Sequence, residues 1–441
     1  MLHHPRWLTA LAALFWLCIA SPAPAQTATP ASEPAVQVSA DARRIFDAAR
    51  DKLVQIRTLL RNSNTQTSAG SGFFVSADGL IITNFHVASQ VALEPKRYRV
   101  VSVQVDGRQA DLDLLAFDVQ HDLALLRVRG ASSALALAFR GPDQPLARGD
   151  RIFSLGNPLD IGFAVTEGTF NGLAERSFYP HIFFGGALNP GMSGGPALDA
   201  AGRVVGVNVS KRTDGELISF LVPAEFAQAL VLRASAAKAA TLAAYPELTR
   251  QLMQHQDLLV ARFTRAPLKA QQHGGYSVPV PDETLARCWG SGRSPGVAGL
   301  SLERTNCRLD SAVVGGEFST GSIALRYEAY EAPKFGPLRF ARFYARAFAN
   351  ERFGSTGSRH LTAAECSERY VQATGMALRV VVCFQAYRKL EGLYEVSALV
   401  ASLNHPTQGV QGRMDARGVG FENGRALVAH FLAGFKWQEP S

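Results

Sequence analysis

Ser193 lies in the run Leu188-Asn189-Pro190-Gly191-Met192-Ser193-Gly194-Gly195-Pro196, a composition that ordinary strands and helices avoid. Glycine there loses backbone entropy and proline removes a donor. The run makes sense where the backbone turns sharply, exposes one hydroxyl, and points N–H groups at an atom that becomes negative. That is the setting of a serine nucleophile in acyl transfer. A plain glycine turn between strands is the alternative, so the rest of the chain must decide. A serine hydroxyl needs a base, and the base needs an orienting carboxylate. His86 follows the apolar segment Leu80-Ile81-Ile82-Thr83, and Asp122 opens Leu123-Ala124-Leu125-Leu126. Taken singly, His86 reads as a satisfied core or surface histidine and Asp122 as a turn residue. Together, in the order His, Asp, Ser and each in a specific local context, they are hard to assign to chance.

These residues need a scaffold of short strands. Leu53–Leu60 reads as a strand, and Gly70–Val75 and Leu80–Thr83 flank a hairpin turn at Ser76-Ala77-Asp78-Gly79. Further β segments are expected at Tyr98–Val105, Ala110–Asp118, Leu123–Val128, Arg151–Leu155 and Arg203–Val209. No alternation of strand and helix appears, which argues against a parallel sheet and for small antiparallel barrels. Before them, Ser39 looks like a cap to a helix with Ala42, Ile45, Phe46 and Ala49 on one stripe.

The chain has 441 residues, 47% hydrophobic and 19% charged, enough for two domains. Its net charge of +8 comes from scattered arginines without a dense basic run, so nucleic acid is not an expected partner. Arg6, the apolar run Trp7–Ala20 and the small residues Ala23-Pro24-Ala25 read as a signal peptide over residues 1–25. The apolar run is short for a membrane span. Cys18, within it, lacks the setting of a lipidation site. Export to a bacterial periplasm or beyond is the expectation, with residues 26–38 a flexible leader.

Past Pro223 the character changes. Ala224–Ala244 and Glu247–Arg265 read as helices broken at Pro246, and Pro267–Gly275 as a linker. The expected domains are therefore 39–235, a helical connector and linker at 236–275, and an α+β domain at 276–441. In the last of these, Ile323, Leu325 and Tyr327 alternate along a strand, and Pro337 opens a helix bearing Phe340, Phe343, Tyr344 and Ala347. Leu378–Tyr387 and Tyr394–Leu403 look like paired strands, and Leu427, Phe431 and Phe435 mark a final helix. Four cysteines, Cys288, Cys307, Cys366 and Cys383, fall here; in an oxidising compartment they imply two disulfides. Sequence leaves the connectivity open, with the local pairing favoured, and zinc is the competing reading.

The chain resembles the trypsin-like serine proteases, and within them the HtrA-like (Deg) branch. The matching blocks are Gly70-Ser71-Gly72-Phe73, Thr83-Asn84-Phe85-His86-Val87, His121-Asp122-Leu123-Ala124-Leu125-Leu126, Leu155-Gly156-Asn157-Pro158, Asn189–Pro196 and Val204-Val205-Gly206-Val207-Asn208. They occur in family order over Ile45–Phe226. The resemblance implies a chymotrypsin-like double six-stranded β-barrel with the site between barrels; with the helical connector and separate α+β domain read above, the chain is expected to be mainly β. It also implies Ser193 as nucleophile, His86 as general base, Asp122 as its orienting partner, and the N–H groups of Gly191 and Ser193 as the oxyanion hole. Asn208, Val209 and Ser210 become the edge that pairs with an extended substrate. The base of the primary specificity pocket falls on Ala187, with walls from Val209-Ser210 and Ser219-Phe220-Leu221. Asp214 and Glu216 belong to a polar turn and read as solvated, so the pocket should take small or medium apolar side chains.

The chain departs from that pattern twice. Met192 stands where digestive trypsin-like enzymes have an aspartate that pairs with a new N-terminus, and where the HtrA-like branch usually has asparagine. This leaves the resting shape of the oxyanion loop open. The peptide-binding PDZ module common in the branch is also not recognisable, and the cysteine-bearing domain stands in its place. The expected function is an exported serine endopeptidase acting on polypeptides, without cofactor or metal, in envelope protein processing or quality control. A protease-like scaffold that binds through its C-terminal domain is the competing reading, and an acyl hydrolase of non-peptides the third. Trimers are common in the branch, but no residue here specifies a homo-oligomer.

Overall fold

Short strands buried over consecutive residues, such as Leu53–Leu60 and Leu80–Thr83, organise the first part of the chain. A computed structural model describes residues 39–438, apart from 131–134, 142, 176, 212–216, 237–241, 294–298, 310, 316–317 and 350–358. The expected signal peptide, Cys18 and the leader lie outside these residues, as do Asp214 and Glu216. After helix α1 (Ala40–Ala49) come β1 (Leu53–Leu60), β2 (Gln66–Phe74), β3 (Leu80–Thr83), helix α2 (Phe85–Leu93), β4 (Tyr98–Gln104), β5 (Gln109–Asp118) and β6 (Leu123–Val128). The strands close into a barrel in the order β1-β2-β3-β6-β5-β4. The hairpin expected at Ser76–Gly79 is present, with Gly79 at φ +83° and Val75 N–H donating to Leu80 C=O at 2.9 Å. A second barrel follows from β7 (Arg151–Gly156), β8 (Ala164–Leu173), β9 (Ile182–Phe184), β10 (Pro196–Leu198), β11 (Val204–Lys211) and β12 (Ser219–Pro223), in the order β10-β11-β12-β9-β8-β7. The chain is thus mainly β, with the double six-stranded barrel that the sequence implied.

Helix α3 (Ala224–Ala236) closes the barrels, and α4 (Ala244–Thr264) follows. Pro246 does not break this helix. It sits in the first turn, where its missing N–H has no intrahelical role. Nor is α4 a loose connector. Leu248 and Leu252 join the apolar cluster of the first barrel, whereas Leu259, Val260 and Phe263 join the core of the C-terminal sheet. Gln251 fastens the first end: its Nε2 donates to Phe117 C=O and its Oε1 accepts from Val119 N–H, both at 2.8 Å. The expected linker is likewise corrected, because Lys269–His273 is a strand, β13, paired with β14 (Tyr276–Val280).

The C-terminal half is built on β15 (Arg287–Arg293), β16 (Ser301–Arg308), the short pair β17 (Val313–Gly315) and β18 (Phe318–Thr320), β19 (Ser322–Glu331), helix α5 (Pro337–Ala349), β20 (Glu365–Ala373), β21 (Met376–Ala386), β22 (Leu393–Ser402), β23 (Gln408–Gly420), helix α6 (Phe421–Leu432) and β24 (Lys436–Trp437). Seven strands form one sheet in the order β15-β16-β19-β23-β22-β21-β20. Alternation along β22 assigns its faces: Ala398 and Val400 pack with α4 and α6, and Leu399 and Ala401 with Phe340, Tyr344 and Phe348 of α5. Both disulfides form locally, Cys288–Cys307 and Cys366–Cys383, which excludes zinc at these thiols. Each joins residues directly opposite in an edge pair, β15–β16 and β20–β21. The two outermost strands of the sheet are thereby stapled to their neighbours. This half is not fully apart from the barrels, since Val313, Leu361, Tyr387, Leu390 and Leu393 complete the cluster around α2.

Candidate active site

The first turn of a helix has N–H groups without intrahelical acceptors. In α2 those groups find Asp122. The backbone C=O of Asp122 accepts from Phe85 N–H at 3.1 Å and from the Asn84 side-chain amide at 2.8 Å. Its Oδ1 accepts from the backbone N–H of His86 at 2.8 Å, and its Oδ2 lies 2.5 Å from His86 Nδ1. An anion at a helix N-terminus is favourable on its own account. Asp122 reaches it in the left-handed region, at φ +53°, a conformation that aspartate tolerates better than most residues. With Nδ1–H directed at the carboxylate, His86 keeps Nε2 free as a proton acceptor. Burial works against the imidazolium, but the charge and hydrogen bond of Asp122 outweigh it, and the His86 pKa is raised above 6.5. The sequence did not indicate α2, whose short apolar stretch reads equally as strand continuation.

The serine loop is fixed by three of its backbone N–H groups. Met192 N–H donates to Asn189 C=O, Gly194 N–H to Asn208 C=O, and Gly195 N–H to Met192 C=O, at 2.9–3.0 Å. The N–H groups of Gly191, just before them, and of Ser193, between Met192 and Gly194, have no acceptor among the described residues. Two donors, two residues apart, are thus uncommitted. Gly191 has φ +95°, and a Cβ there would fall 2.4 Å from Asn157 C=O, so the turn requires glycine. Ser71, which sequence reasoning passed over inside its Gly-Ser-Gly block, braces the turn. Its Oγ donates to Gly191 C=O at 2.7 Å and accepts from Asn157 N–H at 2.9 Å. Met192 is fully buried in the second-barrel core with Leu188, Ile182 and Phe184, which shows what replaces a polar side chain there: apolar packing anchors the loop.

Ser193 Oγ donates to Val209 C=O at 3.4 Å, a long bond. The pairing of β11 with β12 shifts register between Asn208 and Ser210, leaving Val209 off the ladder with its carbonyl toward the serine. Asn208 differs from its expected role as a substrate-pairing residue. Its N–H and C=O are taken by Gly195 and Gly194, and its side chain, fully buried, bonds Leu155 C=O, Met192 C=O and Ser154 Oγ. It is a brace beneath the serine loop. Ser210 pairs with Phe220 in the β11–β12 ladder.

The specificity-pocket residues separate by alternation. Ser219 and Leu221 are buried inside the barrel, and Phe220 faces an open groove that His86, Asp122 and Val209 also line. Of the expected walls, Val209 and Phe220 line this groove, joined by Ile218, whereas Ser219 and Leu221 do not. Ala187 is half-buried, with its C=O held by Thr166 Oγ1 at 2.9 Å, and is not part of that groove's lining. Beside the His86–Asp122 pair stands a second one. His121 Nδ1 lies 3.0 Å from Asp118 Oδ2, and its ring stacks on Phe226 at 3.7 Å. Among the described residues no group of His, Cys, Asp or Glu is arranged to hold a metal.

Residues 70–207 match the trypsin-like peptidase domain. The serine protease HhoA of Synechocystis sp. is 35% identical over 169 residues, covering 36% of this chain and 41% of that protein. A DegP-like periplasmic serine endoprotease of Brucella suis is 32% identical over 169 residues, covering 37% of this chain and 32% of that protein. The chain thus spans less than half the length of either relative. A solved serine endoprotease from Yersinia pestis aligns with a TM-score of 0.39 and 23% identity, over 45% of this chain and 68% of that one.

Proposed function

We propose that this chain, which carries a trypsin-like peptidase domain of the HtrA type, is an exported serine endopeptidase that cleaves polypeptides in the cell envelope. Ser193 is the nucleophile in this reading, His86 the base and Asp122 its orienter. The observation that carries it is the pairing of a doubly held His86–Asp122 couple with two uncommitted N–H groups at Gly191 and Ser193. Either alone has a structural explanation; both in one molecule match the needs of acyl transfer.

In the reaction, Ser193 Oγ leaves Val209 C=O and turns to His86. Catalytic hydrogen bonds are often long before substrate binds. Nε2 takes the hydroxyl proton as Oγ bonds to the scissile carbonyl carbon. The carbonyl oxygen becomes an anion and accepts from Gly191 and Ser193 N–H. The C–N bond then breaks, and His86 gives its proton to the departing amine. Water repeats the steps on the acyl-enzyme, with its proton passing through Nε2, and releases the acid. The envelope location is supported by a DegP-like relative that is named periplasmic and by the two disulfides.

Ala187 supplies no carboxylate to a primary pocket, and Val209, Ile218 and Phe220 contribute apolar side chains to the groove that His86 lines. Small or medium apolar residues before the scissile bond are therefore expected, with weak discrimination because one methylene is worth about 1–3 kcal/mol. Cleavage of a mixed peptide library by wild type and Ser193→Ala tests both parts. Wild type should cut after Val, Ala or Leu and the variant not at all. A dominant preference for Arg or Lys sinks the pocket assignment, and equal cutting by the variant sinks the nucleophile.

A further inference from the structure

The groove beside His86 is not enclosed by the barrels alone. Its lining continues into the C-terminal half through Arg287 of β15 and Ala312, Val313 and Val314 at β17. Alternation splits the two valines. Val313 is 4% exposed and packs with Phe85 and Ala88 of α2, the helix that carries His86. Val314 is 50% exposed on the opposite side of the strand. The segment therefore grips the catalytic helix with one residue and presents the next to the groove.

A buried histidine holds this wall in place. His255 of α4 is fully buried, with Nε2 2.9 Å from Gly321 C=O and Nδ1 2.7 Å from Tyr179 OH. A carbonyl can only accept, so Nε2 carries the proton and Nδ1 accepts from the tyrosine. Ser311 Oγ donates to the same Gly321 C=O at 2.9 Å. Tyr179 lines the groove from the second barrel. Thus the two opposite sides, Tyr179 and Ser311–Val314, are joined through one imidazole and one carbonyl.

Arg287 gives this wall its chemistry. Its Nε is buried and has no acceptor among the described residues. An unpaired buried donor is costly, and a guanidinium that lines the groove with no acceptor on its Nε has its charge open to a carboxylate. Arg148 lines the same groove. Of the carboxylates there, Asp122 is committed to His86 and Glu175 is exposed to solvent. We propose that the C-terminal domain forms one wall of the substrate cleft, and that Arg287 binds a carboxylate of the polypeptide away from the scissile bond. This rests on the reading of the chain as a peptidase, and it makes the domain a determinant of substrate choice.

The test measures binding without turnover, in full-length Ser193→Ala protein. The probes are rhodamine-labelled, C-terminally amidated decapeptides of Ala, Val and Leu, in which a single Glu is walked along the chain, each with a Gln counterpart. A further Gln peptide with a free C-terminus separates a terminal carboxylate from a side-chain one. By anisotropy, Glu or the free terminus should tighten binding roughly ten-fold or more at one register, as expected for a charge-assisted pair. Arg287→Gln should abolish that difference and Arg287→Lys retain part of it. Val314→Glu, at an exposed position, should weaken the acidic peptide more than its neutral counterpart. Equal binding at every register, or a preference that survives Arg287→Gln, overturns the proposal. Fluorophosphonate labelling of the wild type separates the two readings. An inert wild type with an Arg287-dependent preference overturns the peptidase and keeps the wall, while a reactive wild type without the preference does the reverse.

Discussion

Asp122 meets His86 through both carboxylate oxygens, one on the imidazole Nδ1 at 2.5 Å and the other on the histidine's own backbone N–H at 2.8 Å. The ring and the helical turn that carries it are therefore fixed by the same side chain. Asp122→Asn can keep the backbone contact while placing an N–H against Nδ1, which forces the wrong tautomer. Peptidase kcat should fall about 10⁴-fold with little change in thermal unfolding. Near-wild-type turnover in this variant would remove Asp122 from the mechanism.

The same couple sets the response to pH. His86 must be neutral to accept the serine proton, and its pKa is raised above 6.5 because Asp122 outweighs burial. The acidic limb of kcat/KM should accordingly lie above 6.5, not at or below it. The effect on stability has the opposite sense. Native His86 holds its proton more tightly than the unfolded chain, so its contribution is complete below pH 6.5 and is lost as pH rises through the native value. A limb below 6.5 contradicts the coupling of His86 to Asp122.

Each disulfide fastens an edge strand of the seven-stranded sheet, and edge strands have a neighbour on one side only. Iodoacetamide should label none of the four cysteines in the folded, non-reduced mature protein. Replacing Cys366 and Cys383 by serine should cost about 3 kcal/mol, from the entropy of a loop of this length. Mass spectrometry and denaturant titration read the two outcomes, and four alkylated thiols in the native protein would contradict both.

Local chemistry made much of this legible from sequence. The glycine-rich serine run, the hairpin at Ser76–Gly79 and the alternation of Ile323, Leu325 and Tyr327 all express short-range rules, and each has its counterpart in the fold. Residues whose role depends on distant partners were harder to read. Asn208 looked like an edge residue because nothing near it in sequence reveals Ser154, Leu155 and Met192 closing around its side chain. The segment Lys269–His273 is polar and half-exposed, without the apolar alternation that marks a strand, and is paired only because β14 lies beside it. Arg287 and Val314 carry no motif at all. They line the groove only because the C-terminal sheet packs against the barrels through α4, a relation that sequence neighbours do not reveal.

The most direct measurement is intact-protein mass spectrometry after exposure to a fluorophosphonate, on the wild type, Ser193→Ala and His86→Ala. Phosphonylation needs the activated hydroxyl and the oxyanion donors but no knowledge of the natural substrate. The wild type should gain one adduct, mapped by peptide sequencing to Ser193, while Ser193→Ala gains none and His86→Ala reacts far more slowly. An unlabelled, folded wild type, or an adduct that persists in Ser193→Ala, would contradict the assignment of Ser193 as the nucleophile.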